Sequence, residues 1–146
     1  MKEVEQYKAQ EVPQTLASEH CKLHMLNSTY LYTFLIEDVD VEVVAMLIDQ
    51  GYRHGDQVIR WGMVYRSCMD SGIFAPMGKT QFWKMSRNLI PDFSISRPTF
   101  SKGVDDYDMR VRDYRKDAII SSDDITYIKY GEIMVEKLRD MKGQAR

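Results

Sequence analysis

Long apolar runs, cysteines and an excess of charge of one sign are all scarce in this 146-residue chain. The longest apolar runs fall far short of the roughly 20 residues that a membrane-spanning helix needs. No apolar run follows Met1-Lys2-Glu3, as one would in a signal peptide. Cys21 and Cys68 are the two cysteines, and both lie in apolar helical patterns, so we expect buried thiols and no disulfide. These absences favour one globular domain in the reducing cytoplasm.

Motifs for nucleotide binding, metal binding and catalysis are missing or incomplete. Residues 72–80 resemble a phosphate-binding P-loop, but five residues separate the two glycines where that motif has four. His20, Cys21 and His24 have a spacing that can bind zinc, yet no second cluster supplies the remaining ligands of a structural site. The chain has no Gly-x-Ser-x-Gly motif and no glycine-rich dinucleotide turn. We therefore expect a protein that is not an enzyme and that needs no cofactor or metal.

Helical periodicity runs through most of the chain from residue 18 onward. N-cap side chains, which accept hydrogen bonds from the free amides of a first helical turn, are predicted at five positions: Ser18, Asp40, Asp56, Ser96 and Ser121. Gly51 and Gly72 are predicted just beyond helix ends. The sequence thus predicts an all-α fold, a compact bundle of five or six helices over residues 18–146. Residues 1–17 are polar and are predicted to form a flexible arm.

One short stretch allows a second interpretation. The β-branched pairs and runs at 119–120 and 125–128 flank the polar residues 121–124, so a short β-hairpin can form near 119–128. A hairpin at this place would follow the preceding helix as a wing. We favour a helix that begins at Ser121 or Ser122, because Ser121 and Asp124 resemble a capping box.

The residues from Lys79 to Tyr114 predict two amphipathic helices separated by the break 91–95. Pro91 ends the first helix because it lacks a backbone donor. The second helix has the cleanest apolar stripe of the chain, which consists of Phe100, Val104, Tyr107, Val111 and Tyr114. Gly103 inside this helix costs about 1 kcal/mol relative to alanine, so packing must compensate. This layout is typical of a helix-turn-helix, whose second helix enters the DNA major groove by its N-terminal end.

Charge supports the same interpretation. Residues 79–116 contain nine basic and five acidic side chains, a net charge of +4, which leaves −6 for the rest of a chain whose total is −2. A basic segment on an acidic background is typical of an anion-binding surface, although it also fits a solvated helix face. Arg97, Thr99, Ser101 and Lys102 are predicted to read or hold the groove of duplex DNA. A second group is predicted to contact phosphate from the preceding helix: Lys79, Lys84 and Arg87.

Two features count against DNA binding. The link from Leu89 to Ser96 is longer than the usual turn and lacks its customary glycine. Asp105 and Asp106 would face phosphate poorly. The alternative is a helical protein-interaction or oligomerising module without a nucleic-acid role. DNA binding predicts one basic face that consists of Arg97, Lys102, Lys84 and Arg87. The alternative predicts an exposed apolar patch, with these charges scattered or paired with Asp105 and Asp106.

A family resemblance points in the same direction as the helix pair. The segment 61–74, Trp-Gly-Met-Val-Tyr-Arg-Ser-Cys-Met-Asp-Ser-Gly-Ile-Phe, followed by residues 79–115, resembles the C-terminal part of RteC-type regulators of conjugative transposons. The resemblance implies a small regulator of transcription or of mobile-element transfer. It also implies that Arg97, Thr99, Ser101 and Lys102 lie on the DNA-reading helix. Many helix-turn-helix proteins bind two half-sites as dimers, so a homodimer is expected as well.

Overall fold

Six α-helices and a closing 3₁₀ turn make up most of residues 28–143, the part of the chain that the computed structural model describes. In chain order the helices are α1 (Ser28–Tyr32), α2 (Val41–Tyr52), α3 (Ile59–Ser71), α4 (Lys79–Leu89), α5 (Arg97–Arg115) and α6 (Ser122–Asp140). The 3₁₀ turn is Met141–Gly143. Within residues 28–143 there is no β-strand, and Leu35 and Phe74 form an isolated antiparallel bridge. The predicted all-α bundle of five or six helices is confirmed.

Short polar side chains begin three of the helices at predicted positions. The Asp40 carboxylate accepts two amide hydrogen bonds from the first turn of α2, at 3.1 and 3.4 Å. Ser96 Oγ and Ser121 Oγ each accept one from the amide three residues later, at 3.3 and 3.1 Å. Gly72 ends α3 with a φ of 82°, a left-handed conformation that favours glycine. These four boundaries are confirmed because each depends on local chemistry alone.

Two other predicted boundaries are wrong because contacts between helices decide them. Gly51 lies inside α2 and not beyond its end, and a Cβ at this position would approach Val64 Cγ2 to 2.7 Å. The glycine therefore serves close packing. Asp56 does not cap α3, which begins three residues later. The amide of Gln57 donates instead to the Tyr127 hydroxyl of α6, at 3.2 Å.

Glycines allow α3 and α5 to approach each other closely at the centre of the bundle. A Cβ on Gly62 of α3 would overlap the carbonyl oxygen of Gly103 in α5. A Cβ on Gly103 would in turn lie 2.5 Å from the carbonyl oxygen of Val58 and 3.1 Å from Trp61 Cβ. This packing compensates for the helix-propensity cost of Gly103, as its place inside the apolar stripe of α5 predicts.

The predicted apolar stripes meet in one hydrophobic core. Phe100, Val104 and Tyr107 of α5 are buried in it, and so is the loop segment 73–74 that follows α3. Two members of the α5 stripe nearer its C-terminus are only half-buried: Val111 and Tyr114. The N-terminal half of α5 is thus held firmly against the bundle, while its first turn reaches the surface.

The stretch 119–128 becomes helical at Ser122, and the alternative of a β-hairpin there is wrong. Asp117 turns the chain after α5 with a φ of 58°, and Ile119 is fully exposed. Ile128 is instead buried on the inner face of α6. The helix is favoured over the hairpin because its cap at Ser121 forms and its apolar residues recur on one side.

Some predictions concern residues outside the described range, namely the arm 1–17, the cap at Ser18 and the histidine pair beside Cys21. Within that range, Cys68 is fully buried in α3, and burial raises the pKa of its thiol far above the ordinary value. Among residues 28–143, no helix combines the length and apolar character needed to cross a membrane.

Candidate nucleic-acid interface

The link between α4 and α5 is longer than a typical helix-turn-helix turn, but side chains fix it to the bundle. The Phe93 ring packs against Tyr52 of α2 and Trp61 of α3, with centroid distances of 5.4 and 5.8 Å. Arg53 at the end of α2 pairs with Asp92, Nη2 to Oδ1, at 2.8 Å. An aromatic anchor and an ion pair therefore fasten the link to α2 and α3.

The first turns of α4 and α5 meet at the surface, where they share a shallow pocket of about 270 Å³. Its lining combines basic side chains, hydroxyls and one buried ring: Lys79, Thr80, Arg97, Pro98, Phe100 and Ser101. The N-cap of α4 is Gly78, which offers no side-chain acceptor to the first amides of the helix. Free amides and the positive end of the helix dipole favour an anion at such a place.

Arg97, Ser101 and Lys79 are the predicted site residues that the structure brings together in this pocket. Arg97 is exposed, and no carboxylate oxygen of residues 28–143 lies within 4 Å of its guanidinium. Thr99 takes part in the cap of α5, since its hydroxyl accepts a 2.9 Å hydrogen bond from Ser96 Oγ. It belongs to the cap of α5 at least as much as to a binding surface.

Two of the predicted basic residues are engaged with carboxylates of α5. Lys79 Nζ lies 3.1 Å from Asp105 Oδ1, and Lys102 Nζ lies 3.4 Å from Asp106 Oδ2. Each pair has one well-exposed partner, Lys102 at 70% and Asp105 at 68%, whereas Asp106 is 22% exposed and Lys79 is 37% exposed. Exposed pairs of this kind contribute only about 0–1 kcal/mol, so a phosphate group can displace them at small cost. The carboxylates nevertheless interrupt the basic surface.

Lys84 and Arg87 lie on the exposed side of α4, in the arrangement that the helical period predicts. The Arg87 guanidinium carbon is 4.6 Å from the centroid of the Trp83 ring. The indole N–H of Trp83 donates to the carbonyl oxygen of Ile95, at 2.9 Å. Arg87 is thereby held against Trp83, which itself contacts the residue before the cap of α5. Lys84 is exposed and forms no ion pair among the described residues.

Sequence reasoning missed two residues that shape this surface. Thr80 lines the shared pocket from the first turn of α4, and its position next to Lys79 at a helix start was the signal available. Trp83 orients Arg87 and connects α4 to the start of α5. No sequence pattern could reveal that second role, because it depends on how the two helices cross.

Comparison of the chain with family models, with curated proteins and with solved structures gives no match. The resemblance to RteC-type regulators therefore remains a prediction. In the described part of the chain, no group of three or more His, Cys, Asp or Glu side chains is arranged to hold a metal ion. Function has to be inferred from the surface around the first turns of α4 and α5.

Proposed function

We propose that the chain binds duplex DNA through the first turns of α4 and α5. The observation that carries the proposal is their shared pocket, which places the Lys79 and Arg97 cations beside the Thr80 and Ser101 hydroxyls. Cations, hydroxyls and free helix amides are the groups that hold DNA phosphates in proteins. A backbone phosphate is therefore the ligand that this pocket fits best.

Each of the other predicted residues has a place in this proposal. Lys102, on the exposed side of α5 one turn beyond Pro98, is directed at the groove and its base edges. Arg87 and Lys84 on α4 contact the backbone on the flank of the same groove. Thr99 acts through the cap of α5 and holds the first turn in place.

The biological role that fits this surface is regulation of transcription or of mobile-element transfer. Under this proposal the chain binds DNA in the cytoplasm, performs no catalytic step, and works as a homodimer that contacts two half-sites. The dimer is a separate claim, which sedimentation equilibrium at increasing protein concentration tests independently of DNA.

Fluorescence anisotropy with a labelled random-sequence duplex tests DNA binding. Affinity is expected to fall steeply between roughly 50 and 200 mM salt, because each neutralised phosphate releases counterions. In the double variant Arg97→Ala/Lys102→Ala, the slope of log affinity against log salt should become shallower by roughly 2, or about one unit per lost contact. Wild-type protein that does not bind at low salt would rule the proposal out.

A matched control removes the same charge from the other end of the same helix. Arg115→Ala/Lys116→Ala also deletes two exposed cations, about 27 Å from Arg97 along α5 at 1.5 Å per residue. This variant is expected to keep the wild-type salt slope. An equal loss in both double variants would show that net charge matters and that the first turn of α5 does not.

A helical protein-interaction module is the second candidate, and one observation favours it. Lys102 is paired with Asp106, as that alternative predicts, and Lys79 is paired with Asp105 as well. Exposed apolar side chains are also present, among them Ile36 and Ile133. Under this alternative the duplex titration shows no binding, and substitution of Ile36 or Ile133 by Ser changes the oligomeric state.

A further inference from the structure

A second pocket, of about 490 Å³, lies beneath the link between α4 and α5. Its walls come from the end of α2, the start of α3 and the link itself. Trp61 and Phe93 supply half-buried aromatic surface there, and Tyr52 packs behind both rings at 5.1 and 5.4 Å. Ligand pockets of about 300–1,000 Å³ with aromatic walls and a few fixed polar groups are typical of small-molecule sites.

Arg60 lies in this pocket as a half-buried cation, and no carboxylate among residues 28–143 forms an ion pair with it. Its Nε donates to the carbonyl oxygen of Tyr52 at 2.8 Å, and its Nη1 donates to that of Gln57 at 3.0 Å. The guanidinium carbon stands 4.2 Å from the centroid of the Trp61 ring. Burial lowers the pKa of Arg60 from its ordinary value, and among residues 28–143 no carboxylate oxygen lies within 4 Å of its nitrogens. The guanidinium group of Arg60 is therefore held in one orientation. Its Nη2 has no hydrogen-bond partner in the described chain.

Trp61, which lines the same pocket, carries a second open donor in its indole N–H. The described chain provides no acceptor for it, in contrast to Trp83, whose indole N–H is bonded to Ile95. A fixed cationic donor beside flat apolar surface is complementary to a planar ligand that carries oxygen acceptors at one end.

We propose that this pocket binds a small aromatic carboxylate, with its carboxylate on Arg60 and its ring against Trp61 and Phe93. A carboxylate matches this guanidinium because it supplies the missing negative charge and an oxygen that can accept from Nη2, while Nε and Nη1 stay bonded to the backbone. The other arginine of the pocket, Arg53, is already engaged by Asp49 and Asp92 at 2.9 and 2.8 Å. The site goes beyond DNA binding and does not depend on it.

Two carboxylates line the pocket: Asp92, which pairs with Arg53, and Asp56, which opposes such a ligand. Asp56 is exposed, and its charge acts on Arg60 from beyond ion-pair distance. Asparagine has nearly the same shape as aspartate, so replacing Asp56 by Asn removes the repulsion between Asp56 and the ligand carboxylate without changing the volume of the side chain. Asp56→Asn is therefore expected to strengthen binding of an aromatic carboxylate by roughly two- to tenfold, the range of one surface charge interaction.

The test uses 2-naphthoate as the probe and the ¹H–¹⁵N signals of the two tryptophan indoles as the readout. The signal of Trp61 should move and saturate at millimolar probe, while that of Trp83, identified by Trp83→Phe, stays in place. The neutral 2-naphthylmethanol should bind at least about tenfold more weakly, since it lacks the charge that Arg60 recognises.

Variants separate recognition from folding. Arg60→Gln is expected to weaken naphthoate binding by about tenfold or more, whereas Arg66→Gln, an arginine on the same helix, leaves it unchanged. Dispersed amide spectra of both variants check that they fold. Absence of a saturable Trp61 shift, equal binding of the neutral probe, or weaker binding in Asp56→Asn would overturn the proposal. None of these outcomes depends on whether the protein binds DNA.

Discussion

Single glycines decide how closely α3 and α5 approach each other. The hypothetical Cβ at position 62 meets backbone atoms of Gly103 and Val104, which cannot rotate away as a side chain would. Gly62→Ala must therefore separate the two helices. We expect it to lower the free energy of urea unfolding by roughly 1–3 kcal/mol, the usual cost of overpacking a core.

Gly78→Ala provides the matched control for that substitution. Gly78 has an ordinary φ of −76°, and apart from its chain neighbours no atom of residues 28–143 lies within 4 Å of a Cβ built there. Its substitution is expected to change stability by less than about 1 kcal/mol, the range of N-cap effects. Equal stability of the two variants would contradict the close crossing of α3 and α5.

A buried hydroxyl pair ties α2 to α4. Tyr52 Oη and Ser86 Oγ are 2.6 Å apart in the core, and burial keeps the tyrosine protonated by raising its pKa. Tyr52→Phe and Ser86→Ala each leave one buried hydroxyl without its partner, at a cost of about 1–3 kcal/mol. The double variant should lose less than the sum of the two, with a coupling of roughly 0.5–3 kcal/mol in urea unfolding. Strict additivity would show that the pair does not interact.

At the residue scale, local chemistry was predictable and long-range chemistry was not. The caps at Asp40, Ser96 and Ser121 depend on one side chain and the next few amides, so their positions followed from the sequence. Gly51 and Asp56 were misassigned as boundary residues because their surroundings are set by Val64 and by α6.

At the scale of single helices, the carboxylates of α5 tune the proposed DNA surface. Asp105 occupies Lys79 and adds negative charge beside the shared pocket. Asp105→Asn should therefore strengthen binding to random duplex DNA several-fold at low salt, with a slope steeper by up to about one unit as Lys79 becomes available. Fluorescence anisotropy measures both quantities.

Asp123→Asn is the control for charge alone. Asp123 is exposed in the first turn of α6, and it forms no ion pair with any described residue. Its substitution changes net charge by the same amount at a distant place, and only a small uniform effect is expected. If both variants bind alike, Asp105 has no special role at the interface.

The helical periodicity of the sequence was sufficient to predict α4 and α5 but not how the two helices pack against each other. The apolar stripe of α5 and the stop at Pro91 are local patterns, and both are confirmed. The pairing of Lys79 with Asp105 and the bond from Trp83 to Ile95 depend on how the helices cross. A periodic pattern contains no information about that crossing.

For the molecule as a whole, the bundle could be predicted and its surfaces only in part. Lys79, Arg97 and Ser101 were assigned from helix starts, and the structure brings them into one pocket. The aromatic pocket around Arg60 was not foreseen, because it combines residues from α2, α3 and the α4–α5 link. Sites built from several elements become visible only when the chain is folded.

Amide chemical-shift mapping of the ¹⁵N-labelled protein with a short random-sequence duplex tests the central proposal most directly. At low salt, the largest shifts are expected in the first turns of α4 and α5, at 79–81 and 97–102, and they should diminish as salt is added. Indole and amide signals around Arg60 should change little. Absence of shifts at low salt, or shifts confined to α6, would contradict DNA binding through these two helix starts.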